Sequence, residues 1–160
     1  MRDNHYLTLR LAYIRSTYFA DVPVDNQLVV HFGRACRNRL GSIIAHPHPS
    51  SGDLITTIRI NALFAELEVP ELVIDATLAH EFTHYAHGFH SPLPQRYTHP
   101  HRGGVVEREM RTRGAGEILE AQEAWLKSEY PALLQRKRML LPRRRSTTRR
   151  RRYALPFFSV

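Results

Sequence analysis

The chain has 160 residues, 42% of them hydrophobic, and a formal net charge of +8. This length suits one domain with a hydrophobic core, and the single cysteine, Cys36, excludes an intramolecular disulfide and a zinc ribbon built from four thiolates. No apolar run approaches the length of a membrane span, and the first residues lack the apolar stretch of a secretory signal. We therefore expect an intracellular protein without a membrane span.

The positive charge is concentrated in the last thirty residues. Of the 23 Lys and Arg residues, ten lie in 131–160, a segment without Asp or Glu. Residues 1–130 hold the other 13 basic residues and all 15 acidic ones. Because like charges at this density disfavour a packed core, we predict a folded domain at 1–130 and an extended or disordered basic tail at 131–160.

The first half of the chain predicts one helix followed by a small sheet. Residues 5–19 have apolar residues at helical spacing, although an alternating pattern leaves a strand open there. Three β-rich runs follow, at 27–35, 39–46 and 54–60. Asn61 is a candidate cap for a short helix through residue 67. We expect an α+β fold with a three-stranded antiparallel sheet packed on helices.

Residues 70–88 form the strongest helical pattern in the chain. Pro70 suits the first helical position and Gly88 suits the C-terminal cap. The apolar stripe consists of Ile74, Leu78, Phe82, Tyr85 and Phe89. A proline-containing loop at 90–104 follows, and then two helices at 105–113 and 115–130.

The sequence His80-Glu81-Phe82-Thr83-His84 lies within this helix and has the H-E-x-x-H pattern. Histidines four residues apart lie one helical turn from each other, so both imidazoles can reach one metal ion. Glu81 then lies beside them, where its carboxylate can accept a proton from water. The pattern predicts a catalytic metal site on the helix face opposite the apolar stripe.

A catalytic zinc ion usually has three protein ligands, so a third ligand is required. The candidates downstream are His90, His99, His101 and Glu107. His90 has the spacing of the metzincin pattern, but the glycine that this pattern needs stands one residue late, at Gly88. From the residues alone, all four candidates stay open.

The order of elements, with the strand Ile58-Arg59-Ile60, the helix VPELVIDATLAHEFTHYAHG and a later histidine-bearing loop, resembles the SprT-like zinc metallopeptidase family, which includes Spartan. The resemblance covers roughly residues 5–130, and it implies a zincin-like fold with one Zn²⁺. It also implies that His101 is the third ligand, with His99 second, and that strand 54–60 is an exposed edge that binds extended substrates. The chain departs from the family by having H-R-G-G-V at 101–105 and no cysteine-rich zinc ribbon.

On this basis we predict a zinc-dependent endopeptidase with low sequence specificity. Glu81 is the expected general base, and Tyr97 is the candidate for stabilising the oxyanion. The alternatives are a metzincin-like protease with His90 as third ligand, and a nucleic-acid-binding protein without catalysis. In the last case His87, His90 or His99 would complete a closed structural metal site with four ligands.

The tail carries clusters of arginine that can bind phosphate groups of DNA or another nucleic acid. These residues are Arg143, Arg144, Arg145, Arg149, Arg150, Arg151 and Arg152. A nuclear-localisation address, an anionic membrane surface and a solubilising tail are competing interpretations. The family resemblance implies protein substrates that are associated with DNA or crosslinked to it.

Overall fold

The computed structural model describes residues 1–138 and has the α+β composition expected from the sequence. Within these residues it contains five α-helices and one sheet of three strands. The helices are α1 (Asn4–Tyr18), α2 (Glu71–Ala86), α3 (Val105–Thr112), α4 (Gly116–Ser128) and α5 (Tyr130–Arg136), and the strands are β1 (Gln27–Phe32), β2 (Gly41–Pro47) and β3 (Leu54–Ile60). A single 3₁₀ turn at Ala62–Ala65 is capped by the Asn61 side chain, as predicted.

The sheet is mixed, so the expectation of an antiparallel sheet is wrong. Its strand order is β1-β3-β2, with β3 parallel to β1 and antiparallel to β2. The segment 33–40 carries the chain past the position that β3 later fills. Alternation of apolar and polar residues determines which face of a strand is buried, but it does not determine the strand's neighbours.

Strand β3 is therefore the centre of the sheet rather than its edge, and the expectation of an exposed edge at 54–60 is also wrong. Thr56, Thr57, Ile58 and Ile60 are all buried. The two edge strands are β1 and β2. Any extended segment that adds to this sheet must pair with one of them.

Helix α2 lies at the centre of the molecule, because every residue from Val73 to Ala86 is buried. The predicted apolar stripe is in the core except for Phe89, which lies beyond the end of α2 and is half-buried. The histidine face is buried as well. The buried Asp75 carboxylate accepts two hydrogen bonds from the Arg10 guanidinium of α1. On another side, Gln122 of α4 donates to the Thr77 hydroxyl at 2.8 Å. Pairing of these buried polar groups offsets the cost of removing them from water.

The C-terminal end of α2 depends on Gly88. This residue has a φ of +82°, and a Cβ atom placed there would lie 2.4 Å from the Pro94 carbonyl oxygen. Both the left-handed conformation and the close approach of the following loop require glycine. The chain can thus turn back and pass directly beneath the end of the helix.

The folded region extends beyond residue 130, so the predicted domain boundary is too early. Helix α5 packs on the core through the buried residues Tyr130 and Leu133. Arg136 and Lys137, which we assigned to the tail, form ion pairs at 2.6 Å and 2.7 Å with glutamates of the segment before α2. The predicted nucleic-acid-binding arginines, 143–145 and 149–152, lie outside the described residues.

None of the helices in the described part of the chain is both long enough and apolar enough to cross a membrane.

Candidate metal centre

Three histidines converge at the centre of the molecule. His80, His84 and His101 each offer a ring nitrogen, and these atoms all lie within 4.8 Å of one another. The Nε2 atoms of His80 and His84 are 3.2 Å apart. The ring centroid of His101 lies 5.5 Å from the ring centroid of His80 and 4.6 Å from that of His84. Imidazole nitrogens at these separations are close enough to bind one metal ion.

Local helical geometry places the first two histidines. His80 and His84 are four residues apart on α2, so their side chains project from the same face. The tight packing of α2 on every side restricts both rings to this arrangement. A shift of α2 by part of a turn would move both nitrogens together and change their distances to His101.

The third histidine is placed by the loop between α2 and α3, which is fastened at several points. The backbone N–H of Arg96 donates to the His87 carbonyl at 2.9 Å, and the Ser91 hydroxyl donates to the Tyr85 carbonyl at 2.7 Å. The Thr56 hydroxyl of β3 donates to the His90 carbonyl at 2.6 Å. These bonds hold the loop against α2 and the sheet, so His101 is brought back over the helix.

The environment keeps all three imidazoles neutral. Burial is the largest cause: it lowers the pKa of His80 well below its usual value and lowers that of His84 to about 3. The positive charge that each ring would carry near its neighbours lowers these pKa values further. The pKa of His101 is also lowered by burial, although the nearby Glu107 carboxylate opposes the shift. Neutral imidazole is the form that binds metal ions.

Glu81 lies between the two helical histidines in sequence and is buried beside them. Its Oε1 atom has no hydrogen-bond partner among the described residues. Burial raises the pKa of this carboxyl well above its usual value, and the positive charge of Arg39 opposes the shift. A carboxyl with a raised pKa can both accept and return a proton near neutral pH.

Gly41, the first residue of β2, touches Glu81 from the sheet side. A Cβ atom at position 41 would lie 2.5 Å from Glu81 Oε1 and 2.9 Å from Thr77 Cγ2. Only glycine leaves room for the carboxylate in its present position. Sequence reasoning missed this residue, because nothing in the pattern around position 41 indicates contact with a helix forty residues later.

The other candidate ligands do not join this group. Within the described part of the chain, the only cluster of three or more potential ligands consists of the three histidines named above. His90, His99 and Glu107 are outside it, and so is His87. His90 has a φ of +55°, an uncommon conformation for a residue with a side chain, and its carbonyl is turned to the sheet. The loop thus passes the metzincin position without delivering a ligand.

His87 forms a separate buried contact at the end of α2. Its ring lies 4.7 Å from the ring of Tyr97, and its Nε2 atom is 4.0 Å from the Glu109 carboxylate. Tyr97, the predicted oxyanion-stabilising residue, therefore packs on a histidine outside the triad. A catalytic role of Tyr97 stays a prediction.

A cleft of about 510 Å³ opens beside Gly41, at the end of the sheet where β1 and β3 finish and β2 begins. We call it the arginine cleft, because Arg34, Arg39 and Arg59 line it, together with His31 and Ser42. Gly41 lines this cleft and also contacts Glu81, so the cleft adjoins the histidine site.

Comparisons with protein-family models, with curated proteins and with solved structures found no match to this chain.

Proposed function

We propose that this chain is a zinc-dependent endopeptidase of the SprT-like type, with α2 as a zincin-like active-site helix. The observation that carries the proposal is the convergence of His80, His84 and His101 within 4.8 Å, next to the buried carboxyl of Glu81. Burial of four ionisable side chains side by side has a high free-energy cost, and such clusters are typical of functional sites.

The side chains present fit a catalytic zinc ion. Three neutral imidazoles are one of the ligand sets of catalytic zinc, which keeps a fourth position open. Both His101 Nε2 and Glu81 Oε1 are buried without a hydrogen-bond partner among the described residues, as expected for atoms whose partner is an ion or water. His80, His84 and His101 would hold the metal.

The metal, when bound, supplies Lewis-acid activation of water and of a peptide carbonyl. The residues of the chain provide the proton transfers and the geometry. Glu81 accepts the proton of the attacking water at its carboxylate and donates it to the leaving amine. Gly41 has no side chain, and this leaves the space that the carboxylate occupies in its present position. Tyr97 is the candidate donor to the oxyanion.

We assign substrate binding to β2 rather than to β3, because β3 is paired on both sides. β2 is an edge strand, and its first residue contacts the proposed general base. An extended peptide that pairs with this edge would be held mainly through its backbone. Backbone recognition is the basis for the proposed low sequence specificity.

We further propose that the protein acts inside the cell on proteins associated with DNA or crosslinked to it. The arginines at 143–145 and 149–152 would bind phosphate groups and bring the peptidase to such substrates. This part of the proposal rests on the sequence and on the SprT-like resemblance. A decrease in DNA affinity at raised salt would support the role of these arginines. The slope of log affinity against log salt concentration should reflect the number of neutralised phosphates.

A structural metal site is the main alternative, and the arrangement of ligands favours the enzyme. A closed structural zinc site needs four protein ligands, whereas three converge here. His87, which is the nearest further histidine in sequence, packs on Tyr97 instead.

The Glu81→Gln substitution tests the catalytic proposal. Glutamine keeps the size of the side chain but cannot accept a proton, so zinc content should be unchanged while cleavage of an unfolded protein substrate such as casein is lost. Glu109→Gln, at a partly buried carboxylate outside the histidine triad, is the matched control and should retain cleavage. Hydrolysis that persists at the parent rate in Glu81→Gln removes Glu81 from the mechanism.

A further inference from the structure

The arginine cleft carries a positive charge that no ion pair within the described residues neutralises, although Arg39 interacts electrostatically with Glu81. Arg34, Arg39 and Arg59 are exposed, and none of them takes part in an ion pair with a described carboxylate. Asp53 is the only acidic residue in 26–65, and it precedes β3 at the end opposite Arg59. By contrast, Arg10 and Arg113 form ion pairs with aspartates. Three unpaired guanidinium groups around one cleft favour an anionic ligand.

Strand register shows how such a ligand would meet these groups. His31 of β1 and Ser42 of β2 both lie directly opposite Arg59 of β3. Residues directly opposite each other point to the same face of a sheet, so these three side chains form one row. The neighbouring residues Ile58 and Ile60 are buried on the other face. The row therefore belongs to the face that carries the exposed Arg59 and ends at the free edge of β2.

We propose that this row continues into the substrate, and that the substrate residue paired opposite Ser42 is acidic. The inference rests on the proposed function, in which a peptide extends the sheet at β2. A residue in that position would have its Cβ about 4.5–5.5 Å from that of Ser42. It would lie two strand spacings, roughly 10 Å, from the backbone of Arg59. An aspartate or glutamate and an arginine can span this distance together, and Arg39 lines the same cleft.

The position of the subsite relative to the reacting groups follows from the chain. Ser42 is the neighbour of Gly41, which contacts the Glu81 carboxylate. The acidic residue of the substrate would thus adjoin in sequence the residue opposite Gly41, with its side chain on the other face of the sheet from Glu81. Because a single position is charged, recognition of the remaining substrate residues would still depend on the backbone.

A peptide carboxylate fits this site better than a nucleic-acid phosphate. The cleft adjoins the proposed general base, and a phosphate backbone bound there would block the β2 edge against peptides. A guanidinium group can bind a carboxylate through two parallel hydrogen bonds, so one side chain is enough to occupy the site. Competition by an oligonucleotide is consequently a direct test of the assignment.

The experiment measures binding of extended peptides to the zinc-loaded Glu81→Gln protein by fluorescence anisotropy at low salt. Asp, Asn and Lys are compared at each peptide position in turn. We expect Asp to bind about three- to fivefold more tightly than Asn at one position, the range for a partly exposed ion pair. The added substitution Arg59→Glu should reverse the order, so that Lys binds better than Asp at that position.

Lys127→Glu, on the exposed face of α4, is the matched control because it makes the same change in net charge. It should leave the preference for Asp unchanged, which excludes long-range attraction as its cause. Zinc content and the melting temperature of each variant establish that it is folded. Equal binding of Asp and Asn, or an unchanged order in Arg59→Glu, would overturn the proposal. An oligonucleotide that displaces all peptides and loses its own binding in Arg59→Glu would assign the cleft to nucleic acid instead.

Cleavage of the same peptides by the wild-type protein separates the two proposals. Cleavage without a preference for an acidic residue would overturn the acidic subsite and leave the endopeptidase standing. The absence of cleavage of every peptide and of casein would overturn the endopeptidase, and the acidic subsite with it.

Discussion

Substitution of Gly41 by alanine tests whether the contact between the sheet and Glu81 positions this residue for its proposed role as general base. The added Cβ would lie 2.5 Å from Glu81 Oε1, 2.9 Å from Glu81 Cγ and 2.9 Å from Thr77 Cγ2. All three atoms belong to the buried side of α2, so they cannot simply move into solvent. Overpacking of this kind costs about 1–3 kcal/mol of stability. The carboxylate is the end of a flexible side chain, so we expect it to be displaced first.

We therefore expect Gly41→Ala to lower the melting temperature by about 2–4 °C for each kcal/mol lost. Peptide cleavage should fall about a hundredfold, because a small misplacement of a reacting group is enough for such a loss. Zinc content should stay at the parent level, since the triad is not touched. Differential scanning calorimetry, metal analysis and a quenched-peptide assay measure the three quantities.

Gly116→Ala provides the control at the start of α4. The nearest atoms to its added Cβ are 3.7 Å away, which is ordinary contact, so stability should be unchanged or raised by up to about 1 kcal/mol. If Gly41→Ala matches this control in melting temperature and in cleavage, the contact does not position Glu81. A loss of stability with full cleavage would show that the strand supports the fold but not the chemistry.

Three further outcomes are expected. His101→Ala should lower the zinc content well below one ion per chain and His90→Ala should not, as measured by metal analysis after dialysis; the reverse would favour a metzincin-like arrangement. Without metal, the three histidines have lower pKa values in the folded protein than in the unfolded chain, and that of His84 is about 3. Below pH 6.5 the folded protein therefore binds fewer protons at these histidines than the unfolded chain does. The unfolding free energy of the metal-free protein should therefore fall as the pH is lowered from about 6.5, and urea midpoints that stay level down to pH 4 would contradict this assignment. Leu133→Ala should cost about 2–4 kcal/mol, because Leu133 is 1% exposed, whereas a midpoint equal to the parent's would mean that α5 is not docked.

The parts of the site that sequence could predict are those set by local geometry. The pairing of His80 with His84 follows from helical spacing alone, and the bounds of α2 follow from Pro70 and Gly88. The position of His101 required the resemblance, because fourteen residues of loop separate it from the end of α2 and four candidates had suitable chemistry. Its return to the helix depends on hydrogen bonds from Thr56 and Ser91 that no spacing rule contains.

The missed features depend on contacts between distant segments. The β-rich run at 54–60 predicts the strand correctly, but it carries no information that β1 and β2 flank it. The contact of Gly41 with Glu81 joins residues forty positions apart. The predicted boundary after residue 130 divides helix α5, because it rests on the run of basic residues without Asp or Glu that begins at 131. In the structure, packing of these two side chains and pairing of Arg136 with Glu68 place the helix on the domain.

The proposed site also explains the unusual burial of polar groups in α2. Helices buried on all sides normally carry apolar residues, yet α2 contains His80, Glu81 and His84 at exposures of 0–1%. Each of these groups would be costly to bury in isolation. Coordination of the imidazoles by a metal ion would offset the free energy of burying them, so metal binding should raise the stability of the fold.

X-ray absorption at the zinc edge of the metal-loaded protein tests the central claim most directly, because multiple scattering from imidazole rings counts the histidine ligands. We predict three imidazoles and one exchangeable oxygen ligand, with one zinc ion bound per chain. Four histidine ligands without an exchangeable position would contradict it, and so would a protein that binds no zinc after loading and dialysis.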